Sequence, residues 1–200
     1  MQPLSPFPWF DAATILVLIA INGVFAMSEL AIVSARAAKL KAMADSGTRG
    51  ANTALRLARD PGKFLSTVQI GITLIGIIAG AYSGSTLGEP MGQRLAYLGV
   101  PADWSDTLGF GIVISITTYA SLVIGELVPK QFALVSPERI AVFVAGPMEM
   151  LSRITAPIVW LLDRSSALIF RMLGMQRDSR EALTTEELRM VFAEATHAGI

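Results

Sequence analysis

Residues 12–33 read AATILVLIAINGVFAMSELAIV, an apolar run interrupted by Asn22, Ser28 and Glu29. At about 1.5 Å per helical residue this stretch crosses a hydrocarbon layer of about 30 Å. Nothing basic precedes it and it exceeds the apolar core of a secretory signal, so it reads as a retained span. Two further segments share its character. Residues 64–87 read FLSTVQIGITLIGIIAGAYSGSTL, and residues 104–128 contain LGFGIVISITTYASLVIGELV. Both carry several glycines and small hydroxyl residues, which let membrane helices approach closely. In a soluble helix each such glycine costs about 1 kcal/mol.

Composition agrees with three spans. Only 16% of residues are charged and 52% are apolar, against about 25% charged in soluble domains, and the charges fall in blocks. There is no cysteine and a single histidine, His197. Disulfides, thiolate metal sites, structural zinc and a Ser/His/Asp triad are therefore excluded. No histidine pair or paired aspartates lies at membrane depth, so the chain is not expected to be an enzyme. Nor does a net charge of zero point to nucleic acid.

The loops set the expected orientation. Between the first two runs lie Arg36, Lys39, Lys41, Arg49, Arg56, Arg59 and Lys63 against Asp45 and Asp60. Between the second and third lie Glu89, Asp103 and Asp106 against Arg94, and Lys130 and Arg139 follow the third. Positive charge marks the cytoplasmic side. The N-terminus is expected outside, loop 34–63 inside, loop 89–104 outside, and everything after Lys130 inside. Within the inner loop, Ser34 to Ala44 continues as helix. Thr53 to Arg59 forms another, stopped by Asp60-Pro61-Gly62, with the turn at Gly47 to Gly50.

Residues 140–173 are apolar but interrupted by Pro147, Glu149, Arg153, Pro157, Asp163 and Arg164. They read as a pair of amphipathic helices at the inner membrane surface, with Glu149 and Arg153 pairing four residues apart; a fourth span is the competing reading. Beyond Gly174 the chain turns polar. Thr184-Thr185-Glu186-Glu187 before LRMVF has the form of a capped helix start. The expectation is an all-α membrane protein: a transmembrane domain over 1–175 and the start of a longer cytoplasmic region over 176–200.

Charged groups inside a bilayer cost about 3 kcal/mol, so those present need a reason. Glu126 sits in VIGELVPK, where Pro129 lacks an N–H and frees carbonyl oxygens near Gly125 and Leu122. A carboxylate among such oxygens suits a hard cation. The plainer reading is a pair with Lys130. In the first span, Asn22 and Glu29 share one helical face, with Ser28 beside it. Glu29 either lines the site or pairs with Arg36, and Asn22 either serves the site or bonds between helices. In the second span Ser66, Gln69, Thr73, Gly76 and Gly80 form a small-and-polar stripe. Packing alone accounts for the glycines, whereas Ser66 and Gln69 are placed level with Glu126 by an antiparallel arrangement. Ser28, Ser66 and Glu126 then share one depth, forming a cavity fit for magnesium that keeps part of its water.

The segments FAMSELAIVSARAAKLKAM, STVQIGITLIGIIAGAYSG and IGELVPKQFAL resemble the DUF21 transmembrane domain of the CNNM/CorC magnesium transporters. The resemblance implies three spans, a cytoplasmic helix-turn-helix and a juxtamembrane helical belt. Paired CBS domains that bind ATP would follow, and TTEELRMVFAEATHAGI resembles the linker entering them. It further implies a homodimer in the cell membrane that exports Mg2+, with Na+ as the exchanged ion. By position, Glu126 would bind the ion together with Ser28 and Ser66. Many relatives carry serine directly after the residue equivalent to Phe25, whereas this chain has Ala26. A membrane-anchored regulator of divalent-cation balance that moves no ion is the alternative.

Overall fold

A computed structural model describes residues 5–173, and every regular element among them is helical. In chain order they are α1 (Trp9–Ser34), α2 (Ala37–Asp45), α3 (Ala51–Arg59), α4 (Gly62–Tyr97) and α5 (Ala102–Leu122). A π-turn (Val123–Leu127), α6 (Val128–Val135) and α7 (Pro137–Met172) complete the set. The polar tail expected to begin a cytoplasmic region over 176–200 lies outside the described residues.

Each of the three apolar runs falls within one helical stretch, and each stretch is longer than the run. The expected outer loop 89–104 is largely helix, because α4 continues to Tyr97 and α5 begins at Ala102. Pro90 does not stop α4. A proline inside a helix removes one backbone donor, and here the loss is offset by close packing on both sides of it. Gly84 and Gly88 lie against Phe110, and a side chain at Gly92 would run into Asp106. Only this small-residue contact lets α4 and α5 approach so nearly. The glycines of the expected small-and-polar stripe, by contrast, do not pack closely on any described residue. Gly76 and Gly80 have nothing within 4 Å of where a Cβ would stand.

After α1 the helix does not run on through Ser34 to Ala44 as expected. Ala35 and Arg36 are extended (ψ 131° and 120°), and α2 starts afresh at Ala37. The helix-turn-helix itself is present, and its turn requires glycine. Gly47 and Gly50 have φ of 79° and 85°, which side chains disfavour, and a Cβ on Gly50 would strike the Val142 carbonyl.

Residues 140–173 are not a pair of helices. They belong to one continuous helix, α7, that contains Pro147 and Pro157. Four helical stretches are thus long and apolar enough to cross a membrane: Trp9–Ser34, Gly62–Tyr97, Ala102–Val135 and Pro137–Met172.

The described residues divide into two compact units, one ending at Val159 and the other beginning at Trp160. In the second, the Arg164 guanidinium lies 5.5 Å from the Trp160 ring centre. The first holds one apolar hub where six helices meet. It comprises Ala31 and Ile32 of α1, Leu40 of α2, Ala54 of α3, Phe64 and Val68 of α4, Ala133 of α6, and Ala141, Val144, Ala145 and Met148 of α7. Ion pairs fasten the hairpin of α2 and α3 onto α7. Lys39 Nζ meets Glu138 at 3.0 Å, and Glu149 accepts from Arg56 at 2.8 Å and from Arg153 at 3.0 Å. The expected Glu149–Arg153 pair is therefore present, with Arg56 added from α3.

Candidate cation site

The site is built by one missing hydrogen. Pro129 has no N–H, so the carbonyl of Gly125 four residues earlier loses its helical donor. The chain responds twice. Its backbone widens into the π-turn, where Val128 N–H reaches back to Val123 O. From the neighbouring helix, Asn22 Nδ2 donates to the Gly125 carbonyl at 3.1 Å. π-Turns of this kind recur at functional sites.

That donation requires two helices almost backbone to backbone. A Cβ on Gly125 would stand 3.1 Å from Ile19 O and 3.3 Å from Asn22 Nδ2. One on Gly23 would stand 3.0 Å from Pro129 Cγ. Glycine on each partner leaves just enough room. Asn22 is 4% exposed, and its Oδ1 is buried without a hydrogen-bond partner among the described residues. A buried acceptor left in that state costs about 1–3 kcal/mol, so it is an oxygen in need of a cation, water or donor.

The acidic groups lie on the same two helical segments, Glu126 next to Gly125 and Glu29 seven residues after Asn22. Lys130 Nζ donates to Glu126 Oε1 at 2.8 Å and lies 3.5 Å from Glu29 Oε2. Two carboxylates from two helices thus share one ammonium, for a formal charge of −1. Both are half-buried, with side chains 33% and 24% exposed. The pairing of Glu126 with Lys130 is the plainer reading offered by the sequence, and it coexists with a position facing α1. Glu29 pairs with Lys130 and not with Arg36, because the break at Ala35 carries Arg36 off the helical face of Glu29.

The other sequence candidates divide. Ser28 is fully buried, and its hydroxyl donates to Val24 O on its own helix, leaving its lone pairs available. Ala26, two residues earlier, is equally buried. Ser66 is half-buried, whereas Gln69 and Thr73 are exposed. Among the described residues no hydrogen bond joins any of these three to Asn22, Glu29 or Glu126. The buried hydroxyl of that region is its neighbour Thr67. It donates to Lys63 O at 2.9 Å and lies 3.1 Å from Thr155 Oγ1 and 3.4 Å from Ser152 Oγ on α7. Thr67 was overlooked because it falls one residue off the polar stripe; the buried positions Phe64, Thr67 and Val68, at helical spacing, carry the signal.

Among the described residues no group of three or more His, Cys, Asp or Glu could hold a metal ion. The oxygens linked here are the Gly125 carbonyl bonded to the Asn22 amide, and the Glu126 and Glu29 carboxylates joined through Lys130; among the described residues no hydrogen bond joins Ser28 to any of them. So oxygen-rich and acid-poor a set suits a hard cation that retains water, as Mg2+ does.

Comparison with known proteins agrees with the architecture. Residues 13–200 match the family model described as the cyclin M transmembrane N-terminal domain. A UPF0053 protein of Synechocystis sp. is 42% identical over 186 residues, which is 93% of this chain and 42% of that protein. The UPF0053 protein YhdT of Bacillus subtilis is 33% identical over 190 residues, 92% of this chain and 40% of its own length. A protein of Escherichia coli K12 named polyamine export protein is 29% identical over 186 residues, 93% of this chain and 41% of its own. This chain therefore spans about two fifths of the length of these relatives.

Proposed function

The chain belongs to the cyclin M (CNNM) transmembrane-domain family, and from that premise we propose that its helices carry a cation across the cell membrane. Mg2+ is the substrate, exported in exchange for Na+. The observation that carries this reading is the crossing of α1 with the π-turn. Asn22 meets the Gly125 carbonyl there and keeps an amide oxygen with no partner among the described residues, while Lys130 links Glu126, next to Gly125, to Glu29 of α1. Glu126 is the principal ligand, assisted by Asn22, Gly125 and Ser28, with Glu29 and the α4 residues Ser66, Gln69 and Thr73 in support. In this reading α1, α4 and the α5–α6 helix span the bilayer with the N-terminus outside. The hairpin of α2 and α3 lies in the cytoplasm, and α7 lies along the inner surface. The protein acts as a homodimer, and ATP binds only to a CBS region outside this chain.

Flux of Mg2+ into proteoliposomes containing Glu126→Ala tests the assignment. Loss of flux with retained folding is expected, and undiminished flux removes Glu126 from the site. Protein that binds Mg2+ and never moves it would instead be a regulator.

A second reading takes a polyamine as cargo, after the name of the Escherichia coli relative. One observation favours it: a primary ammonium, that of Lys130, already sits between Glu126 and Glu29. Competition between spermidine and Mg2+ in the same vesicles separates the two cargoes.

A further inference from the structure

We propose that the corner between the α2–α3 turn and the start of α7 binds the phosphate headgroup of an anionic phospholipid. A cavity of about 400 Å3 opens there, with Arg49 and Arg139 on its polar side and Val142, Phe143 and Pro147 among its apolar walls. Two other cations of the hairpin are already engaged. Lys39 is held by Glu138, and Arg56 by Glu149. Among the described residues no carboxylate lies within ion-pair distance of Arg49 or Arg139. Two exposed guanidiniums therefore face one cavity with no ion-pair partner among the described residues, and the guanidinium fork matches phosphate oxygens geometrically.

Arg49 is not placed there by a loose loop. Gly50 adopts φ 85° and presses so closely on the Val142 carbonyl that no side chain fits. The turn is thereby fixed to α7, and the two arginines are held in a set relation.

What lies beyond the arginines selects a lipid over a free phosphate. The face of α7 with Ala141, Val144, Ala145 and Met148 is buried in the hub. The adjoining face presents Phe143, Met150, Ile154 and Ile158, all exposed. These residues recur at helical spacing and extend about 22 Å from Phe143 at 1.5 Å per residue. An acyl chain has the length and polarity to lie along that stripe, and a soluble anion has neither. Anionic lipids draw basic segments to the membrane surface by about 1 kcal/mol per cation.

The test uses the full protein in detergent, titrated with phosphatidylglycerol or phosphatidylcholine and read by native mass spectrometry. The proposal expects a several-fold preference for phosphatidylglycerol. Arg49→Gln/Arg139→Gln should weaken that binding about tenfold, Arg139→Gln alone by a smaller factor, and Phe143→Ser should weaken both lipids. Lys63→Gln, a basic control elsewhere on the hairpin side, should leave the preference unchanged. Equal binding of the two lipids overturns the proposal, as does an unchanged preference in the double variant or in a folded Arg139→Gln. In a further arm, inorganic phosphate competing at the same concentration as the lipid would show that the site takes a free anion, which also overturns the lipid assignment.

Discussion

Lys130 is the group whose removal says most about the site. Its ammonium occupies the space between Glu126 and Glu29, at 2.8 and 3.5 Å, so an arriving cation must displace it. In Lys130→Met the chain keeps its length and loses its charge, and the two carboxylates go from sharing one cation to having none. An exposed ion pair is worth up to about 1 kcal/mol, and a charged hydrogen bond about 1.5–3 kcal/mol. The Lys130 side chain is 31% exposed, which places the contact near the lower end, at about 1.4 kcal/mol. Competition of that size corresponds to about tenfold in affinity. The variant should therefore bind Mg2+ about ten times more tightly in isothermal titration of purified, detergent-solubilised protein. Unchanged or weaker binding in a folded Lys130→Met refutes the idea that ammonium and metal compete for one place. A parallel titration of Glu126→Gln guards against misreading, because it should lose binding whatever Lys130 does.

Two further outcomes follow from the packing. Gly125→Ala puts a methyl 3.1 Å from Ile19 O and should cost about 1–3 kcal/mol as an overpacking change. It would be seen as a lower Tm together with weaker Mg2+ binding, and wild-type values of both would contradict the close crossing. Phe64→Ala empties the largest fully buried position of the hub and should cost about 3–5 kcal/mol. Its thermal transition should fall while Mg2+ affinity in the folded fraction stays the same.

The sequence carried the helical class and the three apolar runs because hydropathy over a span sums many small terms and tolerates local error. It carried the hairpin of α2 and α3 because Gly47, Gly50 and the Asp60-Pro61-Gly62 stop act locally. Where the reading failed, the deciding partner was distant. Residues 89–104 look like a loop by their charges, yet they are largely helical, with Gly88 and Gly92 packed on α5. Gly76 and Gly80 look like a packing motif, yet the motif in use lies one to three turns further along the same helix. The site was partly legible, because Pro129 after GEL announces a freed carbonyl. Nothing in the local pattern tells that Asn22, 103 positions away, supplies the donor, or that Lys130 joins Glu29 to Glu126.

The π-turn also determines which neighbours the third long helix has. Above it, the buried residues Ser105, Gly109, Val113 and Thr117 include the face turned to α4; within it Gly125 packs on α1, and below it Ala133 joins the hub. One surplus residue per turn rotates everything downstream by about 100° relative to a straight helix. The helix therefore behaves as two gears keyed to a single shaft, each meshing with a different partner. Deleting one residue between Val123 and Leu127 would let the α-helix close up and turn the lower gear out of mesh, swinging Glu126 and Lys130 away from Glu29 with no change in their chemistry.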